Sequence, residues 1–173
     1  MGVCDSVDLV VMGAYYGRGK RTSVFGAYLM GCYDPDTDEF QSVCKVGTGF
    51  KDEDLVRLTE KMRNLSVLSR KKPSNYNVGD QLCPDIEWFE PSCVWELQAA
   101  DLSKSSVHKG GIHRLGDPGR GIGLRFPRFI REREDKKPEN ATSAEQIIDM
   151  YESQGDMSTL DAGNGDEDDF ELL

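Results

Sequence analysis

With 173 residues, 38% of them hydrophobic, the chain holds enough apolar material for one modest core and a tail. No apolar run approaches the ~18 residues of a membrane span, and the N-terminus lacks the basic, apolar and small-residue order of a signal peptide, so the chain reads as soluble and intracellular. The formal charge of −10 is unevenly placed: eight acidic and no basic residues follow Tyr151, while residues 109 to 137 hold nine Lys/Arg against four Asp/Glu. The acidity belongs largely to the tail and does not exclude a polyanionic partner.

VDLVVMGAYY, residues 7 to 16, is rich in β-formers and ends at GRGKR, where Gly17 and Gly19 permit a turn. FGAYLMGCY from Phe25 leads through DPDTDE, a hairpin loop, into FQSVCKVG, which predicts a three-stranded antiparallel start. From Asp52 the period changes. Leu55, Leu58, Met62 and Leu65 recur at three- and four-residue steps, as on one amphipathic helix.

After a polar, Pro-containing stretch, Trp95, Leu97 and Ala99 of VWELQAADL alternate with Glu96, Gln98 and Ala100 as in a half-buried strand. A Gly-rich loop from Gly110 to Gly123 then delivers the chain into GLRFPRFIREREDKK. Thr142-x-x-Glu145 has the form of a capping box ahead of Ile147, Ile148 and Tyr151, predicting a short C-terminal helix. The expected domain is 1–151, with 152–173 a disordered acidic tail. Short strands, one mid-chain helix and basic loops predict a mainly β fold, a small closed or partly open β-barrel of the OB-fold kind, with a β-sandwich as the alternative.

Cys4, Cys32, Cys44, Cys83 and Cys93 form no C-x-x-C pair, and His108 and His113 are the only histidines, which argues against a metal site or a disulfide framework. Buried packing is the expectation for the cysteines. The glycine-rich GAYYGRGKRTS fails as a phosphate loop, because Ala14 and Arg21 stand where G-x-x-x-x-G-K-[ST] needs glycine and a hydroxyl. It reads either as a solvated basic hairpin loop or as a backbone-contacting loop with Arg18, Lys20 and Arg21 as point charges.

Taken as one strand, LRFPRFIR puts Leu124, Phe126, Arg128 and Ile130 on one face and Arg125, Pro127, Phe129 and Arg131 on the other, and neither face is clean. Pro127 marks a bulge or edge, or one phenylalanine is left outside the core beside arginines. Arginines beside an available ring are what a nucleic-acid groove uses for phosphate charge and an apolar wedge. Glu132, Glu134 and Asp135, interleaved with Arg131, Arg133, Lys136 and Lys137, read as ion-pair partners on a solvated face.

LRFPRFIREREDK resembles the last signature motif, motif VI, of ATP-dependent DNA ligases, whose core R-x-D-K is here Arg133-Glu134-Asp135-Lys136. DLVVMGAYYGRGKR, CKVGTGF and VWELQAADLS agree with that family in order and spacing, over roughly Val3 to Tyr151. The resemblance is to the C-terminal OB-fold domain of the eukaryotic ligase I type. It implies a part in sealing nicked duplex DNA: a lysine takes AMP from ATP, passes it to the 5′-phosphate, and the 3′-hydroxyl displaces it.

The family's K-x-D-G motif, which carries that lysine in the nucleotidyltransferase domain, does not occur in this chain, so the chain alone is expected to be inactive. The resemblance implies Arg133 and Lys136 as ATP-phosphate contacts oriented by Asp135, and Arg125 and Phe126 at the DNA minor groove. Arg128, Arg18, Lys20 and Arg21 join them as DNA contacts, and Phe126 rather than Phe129 is the exposed ring. ATP and Mg2+ are the implied cofactors, bound mainly by the nucleotidyltransferase domain, in a monomeric nuclear protein. Lys51 stands where relatives carry a small N-capping residue, which passes the cap to Asp52. A free-standing, non-catalytic OB-type nucleic-acid-binding module is the alternative.

Overall fold

A computed structural model describes residues 6–17, 23–65 and 71–158. Three long strands, β1 (Ser6–Tyr16), β2 (Phe25–Asp34) and β3 (Glu39–Val46), form the expected antiparallel meander, and α1 (Asp52–Arg63) follows. Short strands β4 (Tyr76–Asn77) and β5 (Ile86–Trp88) precede β6 (Val94–Gln98), β7 (Asp101–Ser105), β8 (Gly121–Arg125) and β9 (Arg128–Glu132). The chain reaches helix α2, Ala144–Ser158, through a 3₁₀ turn.

The main sheet runs β4-β3-β2-β1-β6-β9, with β5 sharing an edge of β1 with β6. Alternate residues of β1 enter two apolar clusters, Val7, Leu9 and Val11 in the larger and Val10 and Met12 in the smaller. Burial on both faces is why the strand reads as an almost continuous apolar run. The larger cluster is organised by rings: Trp95 lies edge-on to Tyr28 at 4.7 Å, and Phe50 stacks on Phe129 at 4.5 Å.

Two stretches expected to be single strands are each divided between two sheets. VWELQAADL breaks at Ala99–Ala100 into β6 and β7, and LRFPRFIR breaks at Phe126–Pro127 into β8 and β9. β6 pairs with β9 in the main sheet while β7 pairs with β8 in a separate two-stranded sheet, so both chains turn the same corner side by side. Ala100 N donates to Arg125 O across the corner at 3.0 Å. Residues 109 and 110 then link the sheets, Lys109 N donating to Ser42 O of β3 and Gly110 bridging Ile122 of β8. The result is a mainly β OB-fold whose sheet stays open.

Helix starts differ from expectation by one residue. Asp52 is the first helical residue of α1 and Lys51 the cap, its N–H donating to the Asp54 carboxylate at 3.3 Å. An aspartate three residues into the helix supplies the acceptor that Lys51, a pure donor, lacks. At α2 the reciprocal pair is Ser143 with Gln146, at 3.1 and 2.9 Å, and Thr142 bonds Asp8 instead. α2 continues past Tyr151, where the sequence predicts the domain to end. Gln154 explains the extension: its side-chain amide accepts from Leu102 N and donates to Leu102 O, on β7. The tail beyond Ser158 lies outside the described residues, as do Arg18, Lys20 and Arg21.

Cys32 and Cys44 are buried and free, whereas Cys83 and Cys93 are free, half-buried and packed against the edges of the two apolar clusters. No described helix is long and apolar enough to cross a membrane.

Candidate functional site

Beyond β9 the chain leaves the sheet with Arg133 N donating to Val94 O at 2.7 Å, then turns back on itself, Lys136 N donating to Arg133 O. This tight turn brings Arg133, Asp135 and Lys136 together against the start of β1. Arg133 Nε and Nη2 grip both oxygens of Asp135, at 3.1 and 3.0 Å. Its Nη1 lies 3.2 and 3.3 Å from the two oxygens of Asp8, and Lys136 Nζ sits 2.8 Å from Asp8 Oδ2. The fork of Arg133 holds the Asp135 carboxyl well below the usual range, at about 2.

Asp8 is the member of this cluster that the sequence does not announce. It faces Glu96 across the β1–β6 pairing, and Glu96 faces Arg131 across the β6–β9 pairing. Arg131 Nε donates to Glu96 at 2.7 Å, and hydrogen bonds from Ser6 and then Arg131 lower the Glu96 pKa. Two carboxylates and the cations Arg131, Arg133 and Lys136 thus stand in a ladder across three strands. A charged residue opening an apolar strand signals that some partner is needed, without saying which.

Glu132 looks the other way, toward α1, where Lys61 Nζ and Arg57 Nη1 reach it at 2.7 and 2.9 Å. Burial pushes its pKa up, but the hydrogen bonds from Lys61 and Arg57 outweigh it and the net direction is down. Glu134 shares Lys61 at 3.5 Å. An open pocket lies between these groups, lined among others by Lys61, Cys93, Trp95, Glu132, Arg133 and Lys136.

The second group lies at the other end of β9. Phe126 is 57% exposed and sits in the left-handed region, φ +56°, where a bulky residue is costly. Arg125 lies over its ring, 5.2 Å from the centroid, with Asp101 at 3.5 Å. Arg128 is exposed beside it, as is Ile130, whereas Phe129 is buried in the ring cluster. Phe126 is therefore the exposed ring of the pair.

The loop Gly47–Phe50 holds the corner from behind. Phe129 N donates to Thr48 O at 2.9 Å, and the Thr48 hydroxyl donates to Pro127 O at the same distance. Gly49, φ +94°, passes so close that a Cβ there would stand 2.4 Å from Phe129 O. His108 belongs to neither group: it is buried, its ring 3.3 Å from the Ser42 hydroxyl, and burial lowers its pKa to about 4.

The chain thus carries a cluster of paired cations and carboxylates at one end of β9 and an arginine–phenylalanine edge at the other. A family model described as the ATP dependent DNA ligase C terminal region matches residues 21–136. DNA ligase 1 of Arabidopsis thaliana is 52% identical over 95% of this chain, which spans about a fifth of that relative's length (20%). The crystal structure of the ligase domain from M. tuberculosis LigD superposes with a TM-score of 0.59 over 81% of this chain and 39% of that one, at 23% identity. A mycobacterial DNA ligase D complexed with ATP and MES gives a TM-score of 0.56 over 81% and 38%, at 21% identity. These two likenesses speak for the fold, and the family match and the sequence identity to DNA ligase 1 speak for descent. The chain belongs to the ATP-dependent DNA ligase family and corresponds to its C-terminal region.

Proposed function

We propose that this chain works as the OB-fold part of a nick-sealing ligase, using the two ends of β9 in different steps. In lysine adenylation, Arg133 and Lys136 face the phosphates of ATP, with Asp135 fixing the guanidinium. Cationic donors set in advance around a leaving pyrophosphate stabilise the charge that develops on it. In the steps on DNA, Arg125, Phe126 and Arg128 meet the minor groove and backbone, joined by Arg18, Lys20 and Arg21 of the basic loop. Arginine supplies the phosphate charge and the exposed ring supplies the apolar contact.

The observation that carries this reading is the separation of the two groups by the length of β9, about 17 Å at ~3.3 Å per residue. One ligand does not engage both ends in the same way, whereas a domain that turns between steps presents each in its own step. ATP contributes the AMP that activates the 5′-phosphate. ATP and Mg2+ are held mainly by the nucleotidyltransferase domain, and the role proposed here for this chain runs through its cations. The ATP in the complex of mycobacterial ligase D supports the nucleotide assignment. We place the parent enzyme, as a monomer, in the nucleus, acting in DNA replication, repair and recombination with a nucleotidyltransferase domain that supplies the lysine.

The test uses an intact ligase carrying this chain in place of the matching fifth of a DNA ligase 1 relative. Arg133→Ala slows lysine adenylation more than sealing of a pre-adenylated nick, and Phe126→Ala does the reverse. Equal losses in both assays for both variants overturn the assignment.

A further inference from the structure

We infer that Asp8, near the start of β1, is a positioning residue for the two phosphate-facing cations, acting through Arg133 and Lys136 without itself touching the nucleotide. The inference rests on the reading of those cations given above.

Asp8 stands on the rigid part of the molecule. Its backbone is paired with β6, and Thr142 bonds it from the other side, the hydroxyl accepting from Asp8 N at 3.0 Å and Thr142 N donating to Asp8 O at 2.8 Å. Arg133 and Lys136 stand on the turn after β9, and Asp135, the other carboxylate on Arg133, stands on that same turn. Asp135 therefore fixes the guanidinium only relative to its own loop. Asp8 ties the loop to the sheet.

Lys136 depends on this contact more than Arg133 does. Its four-carbon stem carries a large rotamer entropy, and the 2.8 Å contact with Asp8 is its sole ion pair among the described residues. Arg133 and Asp8 are largely covered, at 19% and 15% exposure, so their contact is sheltered from the screening that weakens surface pairs, whereas Lys136 is 32% exposed. One carboxylate with two oxygens thereby sets the spacing between two cations.

Removing that carboxylate has two opposed effects. The local field becomes more positive, which favours a bound triphosphate, while the cations lose their fixed geometry, which disfavours the transition state. Misplacement of a catalytic group by about 1 Å costs on the order of a hundredfold in rate. Loss of positioning therefore appears in the rate and not in nucleotide affinity.

The experiment uses the same intact ligase carrying this chain, with Asp8→Asn, which keeps the backbone pairing and the side-chain size. Single-turnover lysine adenylation should fall about tenfold or more, with ATP binding unchanged or up to about threefold tighter. Sealing of a pre-adenylated nick should stay within about twofold, and Asp8→Glu should recover part of the adenylation rate. Adenylation at the parental rate in Asp8→Asn while Arg133→Ala remains slow overturns the role of Asp8 and leaves the cation assignment standing. Parental rates in both variants overturn the cation assignment itself. An equal loss of adenylation and sealing in Asp8→Asn assigns Asp8 to general stability and also overturns the proposal.

Discussion

The hydroxyl of Thr48 donates to the carbonyl oxygen of Pro127 at 2.9 Å, joining the loop after β3 to the corner where β8 becomes β9. Next to it, Gly49 lies at φ +94° with the backbone of Phe129 where a side chain would begin. Gly49→Ala should therefore cost about 3 kcal/mol, from the left-handed backbone together with overpacking. Denaturant unfolding at pH 7 measures it, and a loss under about 0.5 kcal/mol contradicts the packing described for this loop.

Strain at Phe126 gives a prediction of opposite sign to ordinary experience with glycine. At φ +56° a residue without Cβ is the relaxed one. Phe126→Gly should be more stable than Phe126→Ala by about 1 kcal/mol, both lacking the ring. Thermal unfolding of the two variants side by side decides it; an alanine variant as stable as the glycine variant shows that the corner relaxes.

Binding of the chain to nicked duplex DNA should be weak, independent of sequence and steeply weakened by salt. Arg128 is exposed and has no ion-pair partner among the described residues, so its charge is available to a phosphate. Arg128→Ala should lower the magnitude of the log–log salt slope by about one contact. Fluorescence anisotropy across a salt series measures that slope, and an unchanged value removes Arg128 from the interface.

Burial of His108 makes stability depend on pH. Its folded pKa, about 4, lies below its ordinary 6.5, so below pH 6.5 the unfolded chain binds a proton that the folded chain refuses. Stability is free of this penalty above 6.5 and falls as the pH drops toward 4, by about 2 kcal/mol between pH 6.5 and 5. His108→Leu, whatever its packing cost at pH 7, should flatten that part of the curve. Parallel curves for the two proteins would mean that His108 titrates normally.

Much of the fold is written in local pattern. β1 to β3 announce themselves as β-formers between turn residues, and α1 by the period of Leu55, Leu58 and Met62. The two corners are not legible in that way. Alternation looks the same in a strand that continues and in one that changes sheet, and only the mixed faces around Phe126 and Pro127 hinted that the pattern had been reset. The two-residue strand β4 and the three-residue β5 are too short to carry a period at all.

The candidate sites divide along the same line. Arg133, Asp135 and Lys136 are neighbours in the chain, and their spacing carries a motif. Asp8 meets Arg133 across 125 positions, and no spacing rule reaches so far. Its neighbours Val7, Leu9 and Val11 are core residues, so the aspartate reads as an interruption until the fold supplies its partners. The cap of α2 moved by a single residue for a similar reason, since Thr142 was already engaged with Asp8.

The Gln154 amide bonded to both polar groups of Leu102 bears on how this fold keeps to itself. β7 has β8 on one side only, and an unguarded outer edge of backbone donors and acceptors is a template for another chain. At Leu102 that template is occupied by a side chain imitating one peptide of a neighbouring strand. The turn of α2 that carries Gln154 thus serves as a stopper against strand exchange and aggregation. A chain shortened to Tyr151 would present that edge to its own copies.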